Sequence, residues 1–160
     1  MSAPTKSPPD SRWFEDFNVG EIYEIPSRTQ TDALFAMFSA ASGDNHPIHY
    51  DRHYCEARGH RDMLAHGLQV LAQTAAGAGR FPHELGDSLV GFLDVSARFV
   101  RPVYASDTIY PRLEIVALEP GRSTGVIVMR ATVHNQSGEL VLEGTHRYLV
   151  RKRPPARTDA

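Results

Sequence analysis

An aspartate and a histidine lie five residues apart in the segment 43–51, whose sequence is GDNHPIHYD. Pro47 lies between Asp44 and His49 and restricts the backbone, so that the carboxylate and the imidazole can reach one small volume. Such a pair can hold a water molecule, take a proton from it and return a proton elsewhere, at heavy-atom distances of roughly 2.6–3.2 Å. The alternative is that Asp44 caps the following turn and His49 is an ordinary loop histidine. The two residues alone leave both interpretations open.

A second candidate group, His66 and Gly67, lies where a helix is predicted to begin. The first amides of a helix lack intrahelical partners and lie at the positive end of the helix dipole, which favours a carbonyl oxygen that gains negative charge. Glycine would let a ligand approach closely, and the Gly67 N–H could stabilise the enolate-like oxygen of a thioester. Alternatively, both residues have only structural roles: Gly67 gives the backbone the freedom to begin the helix, and His66 caps the helix or packs against neighbouring side chains.

The remaining reactive side chains predict neither a metal site nor a cofactor. His46, His49 and His53 are spaced three and four residues apart, but Pro47 interrupts the helix that this spacing would need. The single cysteine, Cys55, cannot form an intramolecular disulfide, and it is interpreted as a packed small residue. A chain without disulfides is compatible with a reducing compartment, and the cytoplasm is expected.

Helical periodicity occurs on both sides of the histidine-rich loop. Residues 31–42 carry apolar side chains at helical spacing, Thr29 and Asp32 suit a capped start, and Gly43 ends the helix. Residues 66–79 repeat this spacing with unusually small side chains. Each glycine there costs about 1 kcal/mol relative to alanine, which predicts close packing of this helix against another backbone.

The second half of the chain has the periodicity of β-strands. Residues 89–99 alternate between apolar and polar side chains, as in a half-buried strand. Three more strands are predicted at 108–119, 124–134 and 140–150, joined as antiparallel neighbours by the turns EPGR and NQSG. With a strand expected at 21–26, the sequence predicts an α+β fold in which a curved antiparallel sheet wraps around the small-residue helix. One sheet on one helix leaves an open edge and face, which favours a dimer.

Composition excludes several classes of protein. The 160 residues carry a net charge of −2, which disfavours a nucleic-acid partner. No run reaches the roughly 18 apolar residues of a membrane-spanning helix, and the first residues lack the apolar core of a signal peptide, so no membrane partner is expected. We expect one domain at 13–152 between disordered tails at 1–12 and 153–160, because both ends are rich in proline and polar residues.

The candidate residues lie in two motifs, SGDNHPIHYD at 42–51 and AHGL at 65–68. In these motifs the sequence resembles the MaoC-like, R-specific enoyl-CoA hydratases. Two later segments, FLDVSARFVRPVYASDTIYPRLEIVAL and LVLEGTHRYLV, also look like family strands, so that most of residues 13–152 is covered. The chain departs from the usual pattern at His46, where the family has asparagine, and at Ala75, where some members have serine. Both departures leave the pair of Asp44 and His49 in place.

The resemblance implies a hot-dog fold, a homodimer or dimer-based oligomer, and reversible hydration of a trans-2-enoyl-CoA to an (R)-3-hydroxyacyl-CoA. Asp44 and His49 match the catalytic pair, and Gly67 matches the oxyanion-hole glycine. No cofactor is expected, since coenzyme A belongs to the acyl-CoA substrate. Further substrate contacts are predicted at these neighbours of the motifs: Asn45, His46, His66 and Leu68.

Two other functions are compatible with the same fold. In a hot-dog acyl-CoA thioesterase, an activated water would attack the thioester carbonyl instead of the alkene. A catalytically idle acyl-CoA-binding subunit would bind the ester without turnover. The pairing of His49 with Asp44 favours hydration, because addition of water to an alkene requires a proton on carbon as well as one removed from water.

Overall fold

The computed structural model describes residues 11–155, so the predicted tails at 1–12 and 153–160 lie largely outside the described residues. Six strands and four α-helices form the described part. In chain order they are β1 (Ile22–Glu24), β2 (Arg28–Thr29), α1 (Asp32–Ser42), α2 (Arg52–Glu56), α3 (Gly67–Ala72), α4 (Phe81–Leu85), β3 (Leu89–Phe99), β4 (Thr108–Pro120), β5 (Thr124–Asn135) and β6 (Leu140–Arg151). No helix within 11–155 is both long and apolar enough to cross a bilayer.

The six strands form one antiparallel sheet in the order β1-β4-β5-β6-β3, with β2 also paired to β4. The predicted hairpins are confirmed, since Pro120 pairs with Gly125 and His134 with Leu140. The α+β class and the curved sheet with a short helix are therefore as the sequence predicts.

Apolar side chains from the sheet cover one side of α3 and pack against the N-terminal segment. Val70 of α3 is buried with Ile109 and Val133 from the sheet. A larger cluster includes Phe14, Phe81 and several residues of β4 to β6. This packing fixes the start of α3 relative to the sheet, and with it the position of Gly67.

The predicted helix at 66–79 is wrong in length, because α3 ends at Ala72. The Thr74 backbone N–H and hydroxyl both donate to the carbonyl oxygen of Leu71, at 2.9 and 2.7 Å, which closes a turn. Ala75 then adopts φ −54° and ψ 115°, outside the helical region. The small residues that follow form a single 3₁₀ turn at Ala76–Ala78 instead of continuing the helix.

The predicted half-burial of strand β3 is also not observed. β3 is the last strand of the sheet and pairs only with β6 among the described residues. Its apolar side chains are exposed on both faces; Phe92 is 52% and Leu93 is 50% exposed. The alternation is present in the sequence, but this single chain supplies no layer within 11–155 that covers it.

Candidate functional site

The loop that carries the predicted pair begins where α1 ends. Gly43 adopts φ 77°, a left-handed conformation that glycine allows, and its N–H donates to the Ser39 carbonyl at 2.9 Å. The carboxylate Oδ1 of Asp44 then accepts the N–H of His46 at 3.4 Å. The loop passes next to the start of α3, where the Asp44 carbonyl oxygen lies 3.1 Å from His66 Nε2. At the start of α1 the cap is Thr31, which accepts the Leu34 N–H, and not the predicted Thr29.

His49 is held so that one of its nitrogens faces Asp44. It ends the 3₁₀ turn Pro47–His49, and its Nδ1 lies 2.7 Å from the carbonyl oxygen of Leu64. A carbonyl only accepts, so Nδ1 carries a proton and the neutral ring has its lone pair on Nε2. Nε2 is 3.9 Å from Oδ2 of Asp44, too far for a direct hydrogen bond but suitable for a water that contacts both.

Burial lowers the pKa of His49, and the neighbouring His66 ring acts in the same direction, while the Leu64 carbonyl and the Asp44 carboxylate oppose the shift. His49 is therefore neutral near pH 7 and able to accept a proton. Asp44 is on the exposed side of the pair, with 53% of its side chain accessible. The arrangement places the acceptor nitrogen of a mostly buried ring beside a carboxylate that is open to solvent.

His66 lies directly against this pair. Its ring stacks on that of His49, with centres 3.6 Å apart and planes inclined by 21°. Its Nε2 is 3.1 Å from the Asp44 carbonyl oxygen and 3.3 Å from the Ser39 hydroxyl. The sequence predicts His66 as a substrate contact, whereas the structure buries it, with only 2% of its surface exposed.

Gly67, the first residue of α3, lies under the ring of Phe99. A Cβ at this position would be 3.1 to 3.4 Å from three atoms of that ring, so only glycine fits without displacing it. A cavity of about 240 Å³ lies beside Gly67 and is lined also by Phe99, Arg101 and Val141. The glycine and its neighbouring cavity are thus available to a ligand group that approaches the start of α3.

The other predicted contacts are spread around the loop. Asn45 is exposed, and His46 accepts the Ile48 N–H at 3.3 Å with its ring centre 6.4 Å from that of His49. Leu68 is 64% exposed and points away from the core. Cys55 is fully buried and burial raises the pKa of its thiol, in agreement with a packed small residue.

One donor atom from each of Asp44, His49 and His66 lies within 4.8 Å of the others, a grouping with the composition of a metal site. The two histidine rings, however, are stacked with their centres 3.6 Å apart, and His49 Nδ1 is held by the Leu64 carbonyl. His66 Nε2 is also occupied by the Asp44 carbonyl and Ser39. These residues fit an acid–base site better than a metal site.

Several residues of the site have no local signal in the sequence. Ser39 comes from α1 and Gln30 from the segment after β2, and long-range folding brings both to the surroundings of His66. Gln69 lies three residues after His66, so helical spacing could have placed the two on one face. The Leu64 carbonyl is a backbone group and is invisible to residue-type patterns.

An apolar cavity of about 320 Å³ lies at the far end of α3. Its walls include Leu71, Ala75, Phe92, His146 and Tyr148. The cavity and Gly67 lie at opposite ends of α3, whose six residues span about 9 Å.

Comparison with known proteins places the chain in a family. The model of the MaoC like domain matches residues 16–137. The chain belongs to this family. A UPF0336 protein of Streptomyces griseus is 30% identical over 118 residues, which cover 71% of this chain and 79% of that protein.

Solved structures share the MaoC-like fold. A protein from Archaeoglobus described as a monoamine oxidase regulatory protein superposes with a TM-score of 0.82 at 30% identity, over 90% of this chain and 97% of that one. The R-hydratase PhaJ1 of Pseudomonas aeruginosa has a TM-score of 0.74 at 24% identity, over 88% and 86% of the two chains. Another neighbour, from Mycobacterium tuberculosis, is described as a double hot-dog fold, with a TM-score of 0.74 at 25% identity over 91% of this chain and 46% of that one.

Proposed function

We propose that this protein reversibly hydrates a trans-2-enoyl-CoA to an (R)-3-hydroxyacyl-CoA, with Asp44 and His49 as the catalytic pair and Gly67 as the oxyanion-hole donor. The observation that carries the proposal is the geometry of the pair. His49 is anchored through Nδ1 to Leu64, so that Nε2, which has no hydrogen bond to another residue within 11–155, lies 3.9 Å from the Asp44 carboxylate. Membership of the MaoC-like family supports the same chemistry.

The pair can carry out both proton transfers of a hydration. A water between Asp44 Oδ2 and His49 Nε2 donates a hydrogen bond to each, and His49 accepts its proton as the water oxygen bonds to C3 of the substrate. The electron pair of the double bond moves toward C2 and the thioester oxygen, where the Gly67 N–H stabilises the negative charge. The pair then returns a proton to C2, so that the product has gained one water.

The acyl chain of this substrate fits the apolar cavity beyond α3. The cavity walls are almost entirely hydrocarbon, and Ala75 lies among them where a larger side chain would reduce the volume. A cavity of this size accommodates a short or medium acyl chain, and its apolar walls disfavour a charged one. We expect hydration to be fastest for unbranched apolar acyl groups.

The test follows the loss of enoyl-thioester absorbance with crotonyl-CoA and longer trans-2-enoyl-CoA esters. The wild type should produce the (R)-3-hydroxyacyl-CoA, and Asp44→Asn and His49→Gln should each lower kcat by roughly 10²–10⁴-fold. His53→Gln is the matched control, because its side chain is 98% exposed and lies outside the site.

Three other outcomes would overturn the proposal. Release of free thiol without hydration would assign a thioesterase. Tight binding of the ester without product, unchanged in Asp44→Asn, would assign an idle acyl-CoA-binding subunit. Formation of the (S)-alcohol would place the water on the other face of the substrate and exclude the pair as arranged here.

A further inference from the structure

His66 is a buried titratable group with no part in the proposed proton transfers. It contacts both catalytic residues, through the stacked ring of His49 and the backbone carbonyl of Asp44. The ring of Phe38 lies near it, with centres 5.0 Å apart. A polar ring this well buried needs hydrogen-bond partners, and the identity of those partners fixes where its protons lie.

A chain of three hydrogen bonds leads from His66 to the backbone of β2. The Gln30 amide nitrogen donates to the Arg28 carbonyl at 3.2 Å, and the Gln30 amide oxygen accepts the Gln69 amide nitrogen at 3.0 Å. The Gln69 amide oxygen then lies 3.3 Å from Nδ1 of His66. Both glutamines are buried, with 0% and 2% of their surfaces exposed.

We call the side chains of Gln30 and Gln69 the amide relay. The Arg28 carbonyl, at the end of the relay away from His66, decides which group donates in each of its hydrogen bonds. The Arg28 carbonyl can only accept, so each amide must turn its nitrogen toward β2 and its oxygen toward α3. The last acceptor of the relay therefore faces Nδ1 of His66, and Nδ1 must carry a proton. In the neutral ring the lone pair is consequently on Nε2.

We propose that His66 is a positioning residue whose protonated Nε2 donates to the Asp44 carbonyl and holds the catalytic loop against His49. In the neutral ring the Nε2 lone pair would face that carbonyl at 3.1 Å, which is repulsive, and the Ser39 hydroxyl is the only group among the described residues that could donate to it. Protonation of His66 thus converts a repulsive contact with the Asp44 backbone into a hydrogen bond. This positioning role concerns the conformation of the loop, and only its effect on catalysis rests on the proposed function.

The proton on His66 also selects the protonation state of His49. Two stacked imidazolium ions 3.6 Å apart repel each other, so a proton on His66 favours a neutral His49 that can accept one from water. Among the described residues, the titratable groups that face His66 are His49 and the Asp44 carboxylate. The other groups against its ring are neutral: Phe38, Ser39 and Gln69.

The first test is the tautomer of His66, read from ¹⁵N–¹H correlation spectra of the ¹⁵N-labelled full chain over a range of pH. The resonances are assigned by their loss in His66→Gln. We expect the neutral form to carry its proton on Nδ1. A neutral form with its proton on Nε2 would overturn the proposal, and this outcome requires no turnover.

The second test changes the last member of the relay in two opposite ways. Gln69→Met removes the acceptor, so His66 should lose its second proton at lower pH than in the wild type. Gln69→Glu places a carboxylate beside Nδ1, so this titration should move to higher pH. Gln73→Met is the matched control, one helical turn later and outside the relay, and it should leave the titration unchanged. Equal or unidirectional shifts in the two Gln69 variants would contradict the relay.

The catalytic consequence is read from the pH profile with crotonyl-CoA. The active form has His66 protonated and His49 neutral, so kcat/KM should be bell-shaped, and its basic limb should move with the His66 titration in the Gln69 variants. Gln69→Met should lower kcat by up to about 100-fold with little change in KM, because the loop and not the binding surface is displaced. A basic limb that stays in place while the His66 titration moves would overturn the positioning role. Absence of hydration in the wild type would instead remove the proposed function and leave the tautomer test intact.

Discussion

The free nitrogen of His49 sets the acid side of the proposed reaction. Burial lowers the pKa of His49 in the folded protein, so the ring stays neutral to a lower pH than a free imidazole, whose pKa is about 6.5. Below its pKa the protonated ring cannot accept a proton from water. We therefore expect kcat/KM to fall as pH decreases, with a midpoint below about 6.5, in initial-rate measurements with crotonyl-CoA. A midpoint above this value would show that another group controls the acid limb.

His146 provides a second prediction at this scale, for stability. The Thr74 hydroxyl donates to the Leu71 carbonyl, so it accepts from His146 Nε2 at 3.0 Å, and the Tyr148 hydroxyl donates to Nδ1 at 3.0 Å. The neutral ring is thus fully satisfied, and burial lowers the pKa of His146 to about 4. The pKa of a histidine in the unfolded chain is about 6.5, so between this pH and the folded pKa the unfolded chain binds a proton that the folded protein does not. The free energy of unfolding therefore decreases as pH falls through this range.

The loss should amount to at most about 3 kcal/mol between pH 6.5 and 4, measured as the free energy of unfolding by denaturant at several pH values. His146→Gln should flatten this dependence, because glutamine can keep hydrogen bonds but does not titrate. His49 contributes in the same direction, so some slope will remain in the variant. The control His53→Gln should keep the full slope, and an unchanged slope in His146→Gln would refute the assignment.

The sequence predicts the candidate pair but not its support. Asp44 and His49 are close in the chain and separated by a proline, so their approach is a local property of the loop. The Leu64 carbonyl that fixes the His49 tautomer is a backbone group, and Ser39 and Gln30 reach the surroundings of His66 only through the packing of α1 and β2. Such contacts depend on the tertiary fold, which residue spacing does not encode.

At the scale of elements, β6 approaches β3 most closely at Gly144. Gly144 is paired with Ala97 of β3, and a Cβ at this position would overlap the Ser96 carbonyl oxygen and lie 2.9 Å from the carbonyl carbon. The contact is with backbone, which cannot rotate away. We expect Gly144→Ala to lower the free energy of unfolding by about 1–3 kcal/mol, measured by denaturant.

Gly91 offers the matched control for this prediction. It lies in β3, and a Cβ added to it would have no atom of the described residues within 4 Å. Gly91→Ala should therefore leave the free energy of unfolding nearly unchanged. Equal losses in Gly91→Ala and Gly144→Ala would mean that added bulk in the strand pair, and not the close approach at Gly144, is responsible.

The elements differ in how well local patterns predict them. The three hairpin strands end one residue beyond their predicted limits, because alternation and turn residues are local signals. The helix at 66–79 stops early, because Thr74 bonds to Leu71 on one side and to His146 of β6 on the other. That second contact joins residues 72 positions apart, so no window of the sequence contains it.

At the scale of the molecule, the exposed strand β3 predicts assembly. Its apolar side chains are exposed on both faces and its outer edge has no partner within residues 11–155, a combination that proteins rarely leave in contact with water. We expect a homodimer that covers this strand. Leu93→Asp should convert it to monomers in sedimentation velocity measurements, whereas Ile22→Asp, on β1 at the opposite edge, should not. A monomeric wild type at micromolar concentration would contradict this prediction.

Assembly and catalysis should be linked through the end of the same strand. Phe99, the last residue of β3, has its ring directly over Gly67, so loss of the partner from β3 would free this ring to move against the proposed oxyanion-hole amide. In Leu93→Asp, kcat with crotonyl-CoA should therefore be well below that of the wild type, and in the wild type kcat should fall in parallel with the dimer fraction as the protein is diluted. Ile22→Asp should retain both. Full activity in a monomeric Leu93→Asp would show that one chain holds Phe99 and Gly67 in place without its partner.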